Sequence, residues 1–302
     1  MKTRVDAIPM LALMCVTAIW GSTFFIIKGI LTSIPTLDFL GVRFFIAALV
    51  VFVLRGRKLL RASVTTWKRG LMVGVVFAVA QIVQTIGLET ADASVSGFIT
   101  GMYVILTPLL LFIAFRTPIS KPVAFALVLA FTGLSILSLN GFSVGRGEGL
   151  TFISAVLFAV HIVLLDQWAG QESGLDLAAI QLIALGVICG VSALPGGVVL
   201  PSGINGWAVM IYMALIAGIV TVGLQTWAQS RIPATSAAVI MTTEPVFAAI
   251  FAILFGGEHL TWRLFAGGSL VVGAMLLAEL APRKSSTADG GVAKSEDSGS
   301  VS

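Results

Sequence analysis

The chain divides into ten apolar segments of helix length, and the second five echo the first five at a spacing of roughly 140 residues. Because five is odd, two such units threaded in series enter a membrane with opposite orientation. With 58% apolar residues, 11% charged residues and a mean hydropathy of +1.05, the chain has more apolar surface than a water-soluble domain can hide. The segments fall at 9–28, 36–54, 70–88, 94–115, 122–140, 149–165, 177–195, 207–228, 235–255 and 263–281. Each is near the ~20 residues that cross a bilayer as a helix. The connections are too short to hold a folded soluble domain. The expected fold is an all-α polytopic membrane protein whose ten transmembrane helices form two inverted five-helix repeats, 1–141 and 142–281, followed by a Ser/Gly/Ala-rich disordered tail at 282–302.

Lys and Arg set the orientation, because cationic short loops stay on the cytoplasmic side. One set of alternate loops collects Lys2, Arg4, Arg55, Arg57, Lys58, Arg61, Lys68, Arg69, Arg116, Lys121 and Arg231, while the opposite loops hold only Arg146 and Arg263. Both termini and the tail are therefore expected in the cytoplasm. The sixth-to-seventh connection runs against this count, with Asp166, Glu172 and Asp176 and no cation. The basic stretch at 55–69 reads as this topology signal rather than as a nucleic-acid surface, so the bilayer is the expected partner. The first apolar run lacks an obvious cleavage site and nine more spans follow, which makes it a retained first helix. Cys15 and Cys189 lie inside spans and read as packing residues. Gly70/Gly74, Gly97/Gly101 and Gly186/Gly190 have the spacing that lets helices approach closely.

Individual residues repeat as well. Gln84-Thr85 and Ala93-Ser94 recur as Gln225-Thr226 and Ala234-Thr235 at one offset, and Asp38 and Arg43 fall opposite Asp176 and Gln181 at a slightly smaller one. Pro108 matches Pro245 after a shift of about one helical turn. Two inverted units create a pseudo-twofold axis in the membrane plane, and alternating-access sites lie at such interfaces. Trp20-Gly21-Ser22, Arg43, Gly101 to Pro108 (GMYVILTP), Glu244-Pro245-Val246-Phe247 and Gly257-Glu258 before Leu260-Thr261, taken in order, resemble the EamA-type transporters of the drug/metabolite transporter superfamily. The resemblance implies a secondary transporter of the bacterial inner membrane that moves amino acids, metabolites or toxic small molecules outward.

The site candidates are the polar groups deep in the bilayer, where a charge costs about 2.5–3.5 kcal/mol on insertion scales and is functional by default. Glu244 lies mid-span directly before Pro245, which lacks an amide donor and frees a carbonyl one turn earlier. A carboxyl at such a break can bind an amine or take a proton, which makes Glu244 the candidate for proton coupling; a Glu that only stabilises the break is the alternative. Pro108 marks a corresponding break in the fourth span. His161 shares a helix face with Ser154 and Phe158, Tyr103 with Thr100 and Thr107, Trp20 with Thr17 and Phe24, and Gln81 with Gln84. Gln225 and Thr221 repeat the amide pattern on the eighth span. Trp20, Gln81, Gln84, Thr100, Tyr103, His161, Gln225 and Glu244 thus outline an aromatic, amide-lined substrate cavity. Trp20 and Tyr103 lie far from the interfacial belts where such residues anchor helices, which favours stacking or cation-π contact with substrate.

Lys28 and Arg43 lie close in sequence to Asp38, as an ion pair or as a ring attracting anions. Glu258 reads as part of a short outer turn. Gly145-Arg146-Gly147-Glu148-Gly149 has no flanking strand and reads as a turn rather than a phosphate loop. No zinc-type Cys/His spacing and no ATP-binding motif occur, so no metal or cofactor is expected, and a gradient or the substrate itself must supply the energy. A polytopic membrane enzyme, with His161 and Glu244 as acid and base, is the alternative function; it lacks a metal cluster and a second mid-span aspartate, and it does not require a doubled frame. The pattern leaves open the substrate, the coupling ion and whether the chain forms a homodimer. The leading expectation is export of amino acids or related small metabolites by alternating access.

Overall fold

A computed structural model describes residues 7–116, 118–140, 143–169, 173–229, 231 and 234–280. The cations Lys2 and Arg4, the acidic Glu172 and the tail 282–302 lie outside the described residues. The protein is an all-α membrane protein. Among the described residues, eight spans are long and apolar enough to cross a bilayer, and two shorter apolar helices, Lys121–Leu137 and Val239–Phe255, join them. The helices are α1 (Ala7–Ile30), α2 (Thr36–Leu59), α3 (Val64–Leu88), α4 (Ala93–Gly101), α5 (Tyr103–Phe115), α6 (Lys121–Ser138), α7 (Arg146–Ala169), α8 (Gly174–Ser192), α9 (Gly203–Ile211), α10 (Thr221–Gln229), α11 (Ala234–Met241), α12 (Glu244–Phe255) and α13 (Trp262–Leu280). A π-helical stretch, Tyr212–Val220, joins α9 to α10, and a two-residue antiparallel bridge, Leu139–Asn140 with Ser143–Val144, turns the chain between the halves.

Many of the helix contacts pair a span of the first five with a span of the second five. α2 packs on α8, α6 on α13 and α4 on α12, and each of these pairs maps onto itself when the halves are exchanged. The contact of α3 with α7 exchanges with that of α10 with α1, and α3 with α8 exchanges with the π stretch on α2. Small residues let these backbones meet. A Cβ on Gly74 would sit 2.5 Å from the Ala184 Cβ, one on Gly186 2.5 Å from the Ala48 Cβ, and one on Gly97 2.5 Å from the Ala248 Cβ. Without a hydrophobic force between helices in lipid, this close van der Waals contact is what holds them together. Gly190 meets nothing within 4 Å, so its place in the Gly186/Gly190 pair is accidental.

Three spans that read as continuous are interrupted. The fourth breaks at Met102, which donates its amide to Ile99 (3.1 Å). The break comes six residues before Pro108, and α5 continues through that proline, so Pro108 is not the break. Gly101 explains the position: packed between Pro245 and Met275, it weakens the helix where α12 and α13 need close approach. The ninth span breaks at Thr242-Thr243, and Pro245 sits in the first turn of α12, where its missing amide costs nothing. The eighth span widens into the π stretch, whose carbonyls take donors from outside: the Met213 oxygen accepts from Arg43 Nε (3.3 Å) and the Ala217 oxygen from Trp20 Nε1 (3.1 Å).

Lys28, Arg43 and Asp38 do not form one ion cluster. Lys28 Nζ reaches the Asp92 carboxylate (3.4 Å) and the Ala91 carbonyl. Arg43 lies over Phe44 at 4.8 Å, and Asp38 Oδ2 accepts from the Val199 amide (3.0 Å). Five residues of helix turn Arg43 well away from Asp38, so the two meet different neighbours. Asp176 resolves part of the anomalous sixth-to-seventh connection, because Arg55 of α2 pairs with it at 2.6 Å. With side chains only 26% and 14% exposed, this pair loses a half-buried partner in Arg55→Met. That variant is expected to lower stability by about 1–3 kcal/mol, seen as a lower melting temperature in detergent, whereas the double variant with Asp176→Asn recovers part of the loss.

Candidate functional site

The mid-membrane breaks in the fourth and ninth spans face each other. Tyr103 opens α5 and Glu244 opens α12, and the Tyr103 hydroxyl stands beside the Glu244 carboxyl, within range to interact with it. Both groups are surrounded by protein, and both residues keep some accessible surface. α1 closes one side. Its Gly21 would bring a Cβ within 3.0 Å of the Glu244 carbonyl oxygen and 2.6 Å of the Phe247 Cβ, and its Thr17 hydroxyl is hydrogen-bonded to that of Thr243 (3.1 Å).

Trp20 is anchored by its edge. Its indole N–H is shared between the Ala217 carbonyl (3.1 Å) and Thr221 Oγ1 (2.9 Å), fixing the ring between α1 and the π stretch. In Trp20→Phe the Ala217 carbonyl keeps the Thr221 hydroxyl as a donor at 2.9 Å, so no buried acceptor is orphaned. The expected cost is about 1 kcal/mol, read by thermal unfolding, with a larger effect on substrate affinity if the ring also stacks on substrate.

Gln84 and Thr100 meet each other, the amide donating at 2.9 Å within a buried environment, and together they strut α3 against α4. His161 Nε2 bonds Gln181 Oε1 at 2.9 Å, and its ring stacks on Phe77 with centroids 4.6 Å apart, beside Phe158. Since an amide oxygen accepts, Nε2 carries the proton in this arrangement, and in the neutral ring Nδ1 is left as an acceptor. Gln81 and Gln225 are half-buried, and among the described residues no hydrogen bond joins either of them to another candidate. Thus Glu244 with Tyr103, and Gln84 with Thr100, are brought together, while Trp20 and His161 are each tied to a neighbouring helix.

Two carboxylates gain roles that the sequence did not assign. Glu258 caps α4 from across the fold: its Oε1 accepts from the Ala93 amide (2.6 Å), and its Oε2 accepts from the Ser94 amide (3.2 Å) and from the Ser94 hydroxyl. A carboxylate at a helix N-terminus satisfies free amides and favours the positive end of the dipole. Glu279 of α13 lies within electrostatic range of Tyr103. Its signal in the sequence was an ionisable residue inside the last apolar run.

The EamA-like transporter family matches the chain twice, at residues 7–139 and 145–280. An uncharacterized transporter of Archaeoglobus fulgidus is 30% identical over 272 residues, covering 89% of this chain and 85% of the relative. The uncharacterized inner membrane transporter YedA of Escherichia coli is 26% identical, covering 89% and 90%. The threonine/homoserine exporter RhtA of Escherichia coli is 31% identical over 165 residues, 51% of this chain and 54% of that protein. A protein crystal structure 17% identical in sequence shares the fold, with a TM-score of 0.62 over 90% of this chain and 96% of the other. The chain is a multi-pass membrane protein of the EamA-like transporter family.

Proposed function

We propose that this protein exports amino acids or related small metabolites across the bacterial inner membrane by alternating access, with both termini in the cytoplasm. The halves 1–141 and 142–281 act as inverted repeats, and the substrate binds where their broken helices meet. The observation that carries this reading is the Glu244 carboxyl beside Tyr103 at the paired mid-membrane breaks. Half-helix ends and freed backbone groups at such breaks are where transporters hold polar ligands. A carboxylate takes the substrate amino group, and the phenol and the Trp20 ring offer an aromatic wall for its side chain. Gln81, Gln84, Thr100, His161 and Gln225 complete the polar lining. Partial similarity to a threonine/homoserine exporter supports an amino-acid substrate.

Glu244 also serves as the proton-coupling group, taking a proton when the amine leaves. The test is flux of labelled threonine, homoserine and a pool of other amino acids in proteoliposomes, with and without an imposed pH gradient. Saturable flux that the gradient accelerates supports coupling at Glu244. Saturable flux indifferent to the gradient leaves a facilitative carrier, and absence of amino-acid flux overturns the substrate class.

A further inference from the structure

The α2–α8 interface lies on the exchange axis of the two halves. Gly186 packs on Ala48, and these two positions correspond at the same offset that aligns Asp38 with Asp176 and Arg43 with Gln181. At one membrane face, Asp176 in the first turn of α8 is neutralised by Arg55 of α2. At the other face, Asp38 occupies the equivalent first turn of α2, but the position corresponding to Arg55 is Ala193. The carboxylate is repeated and its cation is not.

A cavity of about 510 Å³ opens at that place, lined by Thr36, Asp38, Glu89, Ser192, Pro195 and Val199 among others, with no Lys, Arg or His among the described residues of its wall. Asp38 is only 6% exposed. Its Oδ2 accepts from the Val199 amide, while its Oδ1 has no hydrogen-bond partner among the described residues. Glu89 contributes a second carboxylate, bonded by the Thr36 hydroxyl. A buried carboxylate without a cation is costly unless something pairs with it.

We infer that this vestibule binds a small organic cation bearing a guanidinium or alkylammonium group, which pairs with Asp38 as Arg55 pairs with Asp176. The wall supplies an ionic partner in Asp38, a second acceptor in Glu89 and hydroxyls in Thr36 and Ser192. The site is separate from Glu244, since Asp38 stands at the end of its span and Glu244 in the middle of its own. It lies on the membrane face opposite Arg55, Arg57 and Lys58, so it meets solutes on the less basic side.

A thiol placed in the wall reads this site locally. In full-length protein with Cys15→Ala, Cys189→Ala and Ser192→Cys, reaction with a trimethylammonium-bearing thiosulfonate is compared with that of a sulfonate-bearing one, with methylguanidinium as competitor. The cationic reagent is expected to react faster by on the order of tenfold, as for a focused negative field. Methylguanidinium should slow it in a saturable way. Asp38→Asn should remove both the preference and the protection, and Glu89→Gln, on an exposed side chain that tolerates change, should reduce both. Equal rates for the two reagents, or protection unchanged in both carboxamide variants, would overturn the assignment.

Discussion

Glu244→Gln is expected to lower amino-acid flux by about 10- to 100-fold, the equivalent of losing a charge-assisted hydrogen bond of about 1.5–3 kcal/mol. The carboxamide keeps the shape of the side chain beside the Tyr103 hydroxyl, so the helix break and membrane insertion survive. What it loses is the negative charge that holds a substrate amine and the ability to carry a proton. Any remaining flux should therefore be indifferent to a pH gradient that drives the wild type. Tyr103→Phe removes a single neutral donor and should cost less, about 1 kcal/mol. Flux measured in proteoliposomes at matched protein density checks both variants. A Gln variant that transports like the wild type and still follows the gradient would reduce Glu244 to a structural residue at the break.

Gly21→Val should abolish transport and destabilise the protein together. Any Cβ at this position falls 2.6 Å from the Phe247 Cβ and 2.8 Å from the Ala248 amide nitrogen, and one of those neighbours is backbone. Overpacking of this kind costs about 1–3 kcal/mol or more. Here it also pushes α12, and with it Glu244, away from α1. Gly29→Val on the same helix is the control, because nothing lies within 4 Å of its Cβ direction. Melting in detergent and flux in proteoliposomes should both separate the two glycines. Equal behaviour of the variants would mean that the α1–α12 contact does not position the site.

The apolar periodicity made the ten spans legible because each helix must satisfy its own backbone in lipid, which leaves few alternatives to length and composition. Glu244 and Tyr103 were legible for a related reason: polar groups at mid-span stand out against an apolar background. Their meeting could not be read, since it depends on the position of the fourth-span break, and Gly101 rather than Pro108 sets that position through packing against Pro245 and Met275. The π stretch was hidden because YMALIAGIV has an ordinary helical composition. Its carbonyls take donors from Trp20 and Arg43, far away in sequence. Charge proximity in sequence misled for Lys28, Arg43 and Asp38, where helix phase turns neighbours apart. For Asp38 and Asp176 the repeat did carry the information, including Ala193 at the position equivalent to Arg55, but only the structure shows that Arg55 pairs with Asp176.

The most direct measurement is counterflow in proteoliposomes. Vesicles preloaded with unlabelled amino acid are placed in a trace of the labelled one, and uptake is compared with that of empty vesicles. A carrier that exposes one site alternately to each side exchanges faster than it moves net cargo, so labelled amino acid should overshoot its equilibrium level transiently and saturably. Uptake that is the same in loaded and empty vesicles, for every amino acid tried, would contradict an alternating-access amino-acid carrier.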